Sequence, residues 1–390
     1  MLRNELTRPR DRQAFEIAIF CTLGVEADAM IALFDEIWEQ NEQFEKADGD
    51  TNGYTIGRIC QHYVVLAQIP RRGLVSASTV AANLRHSFPH IRLGLLVGIC
   101  GAVPFTQTEQ EIILGDIIIS THIINSGFGT LYSNRFIRKN SLHDNPSRPC
   151  PEIAGFLSKL KGNVARSELE GQIRKNLATL SNAASTYPGA QEDKLFEATY
   201  RHKHNGTACS SGDCSENDVC LEALELSCAE LGCDFENLIP RARVQAAARE
   251  ISPKSHCPEV HFGGLASADQ MIVNSALYRD RIAEEEGVIG FEMEAAGLWD
   301  TVPTIVVKGA CDYADSHKNK KWQLYAAATA ASCAKGILAA WRKTARPVQS
   351  KSRVKEFVTS PTPTQVFSGT FSASKNIHNG GTYTAETISF

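Results

Sequence analysis

Arg92-Leu93-Gly94-Leu95-Leu96-Val97-Gly98-Ile99-Cys100-Gly101-Ala102-Val103 is the stretch that decides the fold. Leu93 to Val97 is a near-continuous apolar run. A run without polar alternation marks a strand buried on both faces, as in sheets sandwiched between helices. Gly98 and Gly101 then interrupt it. The segment therefore reads as a strand over 92–98 that enters a glycine turn, where backbone without a Cβ lets a ligand approach closely. A tight packing turn would use the same glycines.

Outward from this strand, elements alternate. Towards the N-terminus, 16–22 reads as a buried strand. Val25, Ala29, Ala32, Leu33 and Ile37 recur at helical spacing and predict a helix over 25–39. Segments 54–59 and 62–68 alternate as a hairpin, and 76–86 reads as a short helix. Towards the C-terminus, strands are expected at 116–120, 261–267, 288–292 and 304–310, with helices at 269–286, 293–299 and 321–342. The class is α/β, a mixed central sheet flanked by helices, spanning 15–342 behind an N-terminal arm, 1–14. Residues 140–260 break the rhythm. They are polar, carry a helix-like 155–183, and read as a long insertion. Beyond Trp341, a basic stretch with Pro347, Pro361 and Pro363 has linker composition over 343–365. The segment 366–390 is rich in Ser, Thr, Gly and Asn with spaced aromatics Phe367, Phe371, Tyr383 and Phe390. It is either a loose, disordered tail or a segment that stacks with its own copies as cross-β.

Composition bounds the function. The 390 residues are 43% hydrophobic and 22% charged, with a formal net charge of -4, so a nucleic-acid binder held by bulk positive charge is disfavoured. No apolar run approaches the roughly 18 residues of a membrane span. Arginines precede an apolar 17–24, but Glu26 and Asp28 follow at once and no small-residue cleavage site appears, so a cytoplasmic protein is expected. Of twelve cysteines, Cys209, Cys214, Cys220, Cys228 and Cys233 crowd one polar segment. They form no CxxC or CxxH pair, so free thiols and no metal are expected.

Three further stretches sit, like the first, where a strand ends. Gly290-Phe291-Glu292-Met293-Glu294-Ala295-Ala296-Gly297 puts two carboxylates at a helix start. One can serve the helix dipole, while the second can accept hydrogen bonds from vicinal hydroxyls. Lys308-Gly309-Ala310-Cys311-Asp312-Tyr313-Ala314-Asp315 delivers Asp312 to the loop edge, as a general acid or as a helix cap. Thr22-Leu23-Gly24-Val25-Glu26 turns the first strand into the first helix, with Glu26 as a first-turn acid or as a base facing the same cleft.

Together, in this order, VGICGAV, FEMEAAG, GACDYAD and the Ala266-Ser267-Ala268-Asp269 stretch resemble the purine nucleoside phosphorylase and methylthioadenosine–adenosylhomocysteine nucleosidase superfamily. The resemblance covers about 15–342 and is poor over 140–260. The wording GVIGFEMEAAGLWD and KGACDYADSHKNKKWQ is similar to the branch found in fungal NOD-like immune receptors and effectors. The resemblance implies that Glu294 binds the ribose hydroxyls, with Met293 against the sugar and Glu292 beside it. It implies that Asp312 protonates purine N7, that Met271 and Ile272 border the base, and that Glu26 orients the attacking water. Gly24, Gly98, Ile99 and Gly101 would form the strand-end turns around the substrate. Where phosphorylases hold phosphate with an Arg and a Ser, this chain has Leu96 and Ile99, and anion burial against them would leave charge unpaired. The departure points to hydrolysis rather than phosphorolysis.

By the same resemblance the substrate is an adenine nucleotide, with ATP cleaved to adenine and ribose 5′-triphosphate in an immune or cell-death setting. A triphosphate needs cations. Arg71 and Arg72 are the first candidates, then Arg135, Arg138 and Lys139, then Lys308 with Lys318, Lys320 and Lys321. No cofactor is required beyond Mg²⁺ arriving with the nucleotide. A homo-oligomer is implied, and 366–390 resembles the prion-like motifs through which fungal NOD-like receptors engage effectors. A phosphorylase, a methylthioadenosine-type nucleosidase and an inactive ligand sensor are the alternatives.

Overall fold

The computed structural model describes residues 8–38, 44–133, 136–141, 143, 144, 146, 148–180, 186–204, 209, 220–249, 257–269 and 275–342. Met271, Ile272, Arg135, the linker and the 366–390 segment lie outside the described residues. In chain order the elements begin with β1 (Ile17–Cys21), α1 (Gly24–Ile31), β2 (Glu36–Trp38), β3 (Tyr54–Ile59), β4 (His62–Gln68), α2 (Leu74–Ser87) and β5 (Leu93–Ala102). Then come β6 (Ile117–Asn125), β7 (Gly129–Leu131), β8 (Phe136–Arg138), α3 (Pro151–Leu160), α4 (Asn163–Thr179), α5 (Leu221–Glu225) and α6 (Ala242–Arg249). The last are β9 (Val260–Ser267), α7 (Ala276–Glu286), β10 (Val288–Glu292), α8 (Ala295–Trp299), β11 (Thr304–Asp312) and α9 (Gln323–Ala340).

Among the described residues, nine strands form one mixed sheet in the order β10-β9-β6-β11-β5-β1-β4-β3-β2. β4, β1, β5 and β11 run parallel to one another. β6 is antiparallel to β11, and β9 and β10 follow β6 in parallel. β10 then returns to pair with the end of β5, Gly290 opposite Ala102 and Phe291 opposite Gly101. The sheet thus closes on itself at one end and stays open at the other. β7 and β8 form a separate hairpin.

The apolar run that decides the fold is the hub of this closure. β5 is buried along most of its length, and it is hydrogen-bonded to β1, β11 and β10. Two apolar clusters cover the sheet. One includes Phe15, Phe20, Leu96, Ile118, Val306 and Trp322. The other gathers Ile19, Leu95, Val97 and Val307 with the alanine-rich α9 and, from the insertion, Ile153, Leu157, Leu169 and Ile173. α9 lies close because β11 carries Gly309, where a Cβ would sit 2.0 Å from the Ala326 carbonyl oxygen.

Four expectations are corrected. The helix expected over 25–39 stops at Ile31, and its second half is edge strand β2. Ile37 and Trp38 are apolar because β2 pairs with β3 and seats Trp38 beneath the sheet. The glycine turn after 98 is absent, since the strand continues through Gly98 and Gly101 to Ala102. The helix-like 155–183 is two helices, α3 and α4, separated at Lys161 and Gly162, a residue pair that favours a helix end. Within 269–286, the helix α7 begins at Ala276, capped by the Ser275 side chain. No described helix is long and apolar enough to cross a membrane.

Candidate active site

The parallel strands β1, β5 and β11 end at one edge of the sheet, and β10 crosses β5 there. This convergence brings three of the quoted stretches onto the fourth. The resulting cleft, about 310 Å³, is lined by Glu26, Ile99, Gly101, Met293, Glu294 and Asp312, with Arg72, Lys318 and Lys320 among its cations.

Glu26 sits in the first turn of α1 and is buried. Its Oε2 accepts from the Thr22 and Leu23 amides at 2.9 and 2.8 Å. Its Oε1 accepts from the Ile99 amide at 2.8 Å. The carboxylate ties the β1–α1 turn to β5 and uses three of roughly four lone-pair directions. This explains Gly98, which does not line the cleft. A Cβ there would meet Glu26 Oε1 at 2.3 Å, so the glycine makes room for a carboxylate rather than for a ligand. Gly101 likewise makes room for Asp312, whose Oδ1 would be 3.0 Å from an added Cβ. Gly24 opens α1 beside open space and is not among the lining residues.

The two carboxylates of the FEMEAAG stretch divide their labour. Glu292 also lines the cleft, but its oxygens are engaged by the amides of Glu294 (3.0 Å) and Ala295 (3.0 and 3.1 Å). It caps the first turn of α8. Glu294, the residue before α8, lines the cleft with one oxygen 3.4 Å from Lys308 Nζ. Lys308 projects from β11 between them, 3.6 Å from Glu292 as well, and is buried. Burial pushes the Glu292 carboxyl up, reinforced by neighbouring Glu294 and opposed by Lys308. Burial also works against the Lys308 ammonium, but Glu294, Glu292 and Glu26 outweigh it and raise its pKa. Lys308 is thus committed to carboxylates, and its place among the triphosphate cations is withdrawn.

Asp312 ends β11. Its Oδ1 accepts from the Ala314 amide at 2.8 Å, and the Cys311 thiol lies 3.3 Å from Oδ2. Burial holds the Cys311 thiol far above its usual range, so it stays a donor. The other cations separate. Arg72 lines the cleft, whereas Arg71 lines a neighbouring hollow of about 480 Å³ that Arg72 also borders. Lys318 lies close enough to Arg72 and Asp312 to feel both, and burial lowers its pKa. Arg138 is held by Glu286 through two contacts of 2.6 Å, and Lys321 by Glu192 at 2.9 Å. Lys139 lies over the Phe128 ring. None of these three lines the cleft.

Sequence reasoning missed Asn319, Gln323, Phe291, Cys311 and Leu224 as lining residues. Phe291 and Cys311 were legible, since each adjoins a quoted carboxylate. Leu224 was not. It belongs to the insertion, where no periodic pattern marks it.

No family model matches the chain. A protein of Hyaloscypha variabilis described as a nucleotide-binding leucine-rich repeat (NLR)-like protein is 32% identical over 333 residues, 84% of this chain and 29% of that protein. This chain therefore spans under a third of that relative's length. Among solved structures, similarity is found to a methylthioadenosine/adenosylhomocysteine nucleosidase of Streptococcus pneumoniae in complex with 8-aminoadenine, at 15% identity and a TM-score of 0.48 over 84% of this chain and 100% of that one. A putative nucleosidase of the same description from Borrelia burgdorferi, bound to adenine, gives 12% identity and 0.48 over 83% and 98%. The futalosine hydrolase of Helicobacter pylori gives 14% identity and 0.44 over 84% and 99%.

Proposed function

We propose that this chain hydrolyses the N-glycosidic bond of adenine nucleotides, ATP above all, to adenine and ribose 5′-triphosphate. The observation that carries the reading is the convergence of Glu26, Glu294 and Asp312 on one cleft whose cations are Arg72, Lys318 and Lys320. Cleavage of the C1′–N9 bond leaves positive charge on the ribose and negative charge on the base. Asp312 gives its proton to N7, so the base departs neutral. Glu294 accepts hydrogen bonds from the 2′ and 3′ hydroxyls, its carboxylate placed by Lys308 Nζ at 3.4 Å. Glu26, with one lone-pair direction left, takes the proton of the water that bonds to C1′. This is the paired-acid logic of glycoside hydrolysis with a nitrogen leaving group. The apolar Ile99 side chain offers an inorganic phosphate no donor, which favours water as the nucleophile.

The cations at Arg72, Lys318 and Lys320 support a 5′-phosphorylated substrate, since guanidinium and ammonium groups donate charge-assisted hydrogen bonds to phosphate oxygens. The NLR-like description of the relative supports an immune setting. In it, 366–390 stacks on a receptor and gathers copies of the chain, raising the local enzyme concentration. A synthetic 366–390 peptide should form fibrils in buffer, and a peptide that stays monomeric at high concentration removes this part of the reading.

The test of the activity is base release. The full chain is incubated with ATP and Mg²⁺, AMP, adenosine or methylthioadenosine, with and without phosphate, and products are separated chromatographically. Adenine from ATP without phosphate is expected. A strict requirement for phosphate would make the chain a phosphorylase, and cleavage of methylthioadenosine alone would make it a nucleosidase of that type. Silence with every substrate would leave a ligand sensor.

A further inference from the structure

The cysteine-rich part of the insertion folds back onto the loop that follows Asp312. Four side chains meet there: His202, Cys228 and Cys233 from the insertion, and His317 from the loop. One donor atom of each lies within 4.8 Å of all the others. Both imidazoles present Nδ1 to both sulfurs. Cys228 Sγ is 3.6 Å from His202 Nδ1 and 3.7 Å from His317 Nδ1. Cys233 Sγ is 3.5 and 4.0 Å from the same two atoms.

We propose that His202, Cys228, Cys233 and His317 are the four ligands of a structural Zn²⁺ ion that fastens the insertion to the loop carrying Lys318 and Asn319. Bonds of about 2.3 Å to sulfur and about 2.0–2.1 Å to nitrogen, at tetrahedral angles, place S and N about 3.6 Å apart. The four S–N separations, 3.5 to 4.0 Å, are the edges of such a tetrahedron. Two thiolates and two imidazoles form a closed, soft donor set that selects zinc over Mg²⁺ or Ca²⁺.

The surroundings fix the ligands as an ion would need. His202 Nε2 lies 2.9 Å from the Leu226 carbonyl oxygen, and His317 Nε2 lies 3.0 Å from that of Tyr200. A carbonyl only accepts, so each Nε2 carries the hydrogen and each Nδ1 presents a lone pair to the cluster. The His317 ring is stacked 4.0 Å from Phe196 and 5.5 Å from Tyr200. Its amide donates to Asp315 Oδ1 at 2.8 Å, and the His202 amide donates to Ser316 Oγ at 3.1 Å. His317 and Cys233 are each only 6% exposed. The absence of a CxxC pair, which counted against a metal in the sequence, loses its force, because two ligands come from distant segments. The ion would brace the cleft wall from both sides, since Leu224 precedes Cys228 by four residues and Lys318 adjoins His317.

The test uses the full chain purified without chelator. Elemental analysis should find bound zinc, and the Cys228→Ser/Cys233→Ser variant should hold one equivalent less. That difference is expected whether or not the nearby three-donor group His204, Cys209 and Cys220 holds a second ion. Zinc-edge X-ray absorption on the unaltered chain is the second measurement, independent of how the double variant folds. A two-sulfur, two-nitrogen shell at about 2.3 and 2.0–2.1 Å is expected. Reconstitution of metal-stripped chain with Co²⁺ should give the intense visible bands of a tetrahedral thiolate site. A chain that holds no zinc and takes up neither ion overturns the proposal. So does a Cys228–Cys233 disulfide found by mass spectrometry under non-reducing conditions.

Discussion

The closed end of the sheet and the second half of the insertion, 186–249, are held together by different forces. Around β5 the strands are covered by two large apolar clusters, and the cleft's carboxylates are anchored on backbone amides of those strands and their turns. The insertion's second half has one small cluster of its own, built on Phe196, Cys220, Ala223, Leu231 and Cys233. It reaches the sheet through Leu195, Tyr187 and Ile239, which pack in the first of the two large clusters, and through a set of polar ties. Arg243 on α6 and His261 on β9 both bond the buried Asp116. Asp193 accepts from the Tyr313 hydroxyl at 2.7 Å and the Leu114 amide at 2.8 Å. Arg241 donates to the Ile112 carbonyl oxygen at 2.7 Å. Apolar burial is non-directional and tolerant of substitution. Polar ties are pairwise, and each fails when one partner goes.

That contrast can be broken at four points, in falling order of effect. Asp312→Asn should lower base release by about 10²–10⁴-fold, the usual worth of a general acid. Its melting temperature should stay within about 2 °C of the parent, because the Ala314 amide keeps an acceptor. A parallel loss of stability would mean that Asp312 is chiefly a turn residue. Lys308→Met attacks the buried charge cluster at the cleft end of the sheet. It strands Glu292 and Glu294 without their buried cation and should cost about 3–5 kcal/mol in urea unfolding. Adding Glu292→Gln should recover part of that loss, and no recovery would count against a charge origin.

Acid should release the insertion before the sheet. Burial alone would raise the Asp116 carboxyl, but hydrogen bonds from His261 and Arg243 outweigh it and hold the pKa at about 2, below the ordinary 3.8. A depressed folded pKa contributes stability above the unfolded value, and this is lost as pH falls from about 4 through about 2. The contribution is roughly 2 kcal/mol. Proteolysis within 220–249 should therefore accelerate over that window, and Asp116→Asn should flatten the dependence. The smallest effect is at the cleft mouth. Arg72→Ala should raise KM for ATP by about 10-fold, one charge-assisted hydrogen bond, and leave adenosine unchanged. Equal effects on both substrates would move the phosphates elsewhere.

What could be read in advance follows the same division. The hairpin β3–β4 and strand β10 were legible to the residue, because apolar alternation and apolar runs are local. Glu26, Glu294 and Asp312 were legible because each lies within a few residues of a strand end. Illegible were Glu26's anchor on the Ile99 amide, the commitment of Lys308 to two carboxylates, and the arrival of Leu224 at the cleft. Each depends on segments far apart in the chain.

The sequence by itself determined the α/β class, the alternation of buried strands and covering helices, and the carboxylates at the strand ends, since hydrophobic period and turn chemistry act over a few residues. Only the tertiary structure decided which of the two glutamates lining the cleft is engaged by helix amides, which of the cations line it, and that two histidines and two cysteines meet at one point. Those choices depend on distances between remote segments. They exist only once β10 has closed on β5 and the insertion has folded over the end of β11.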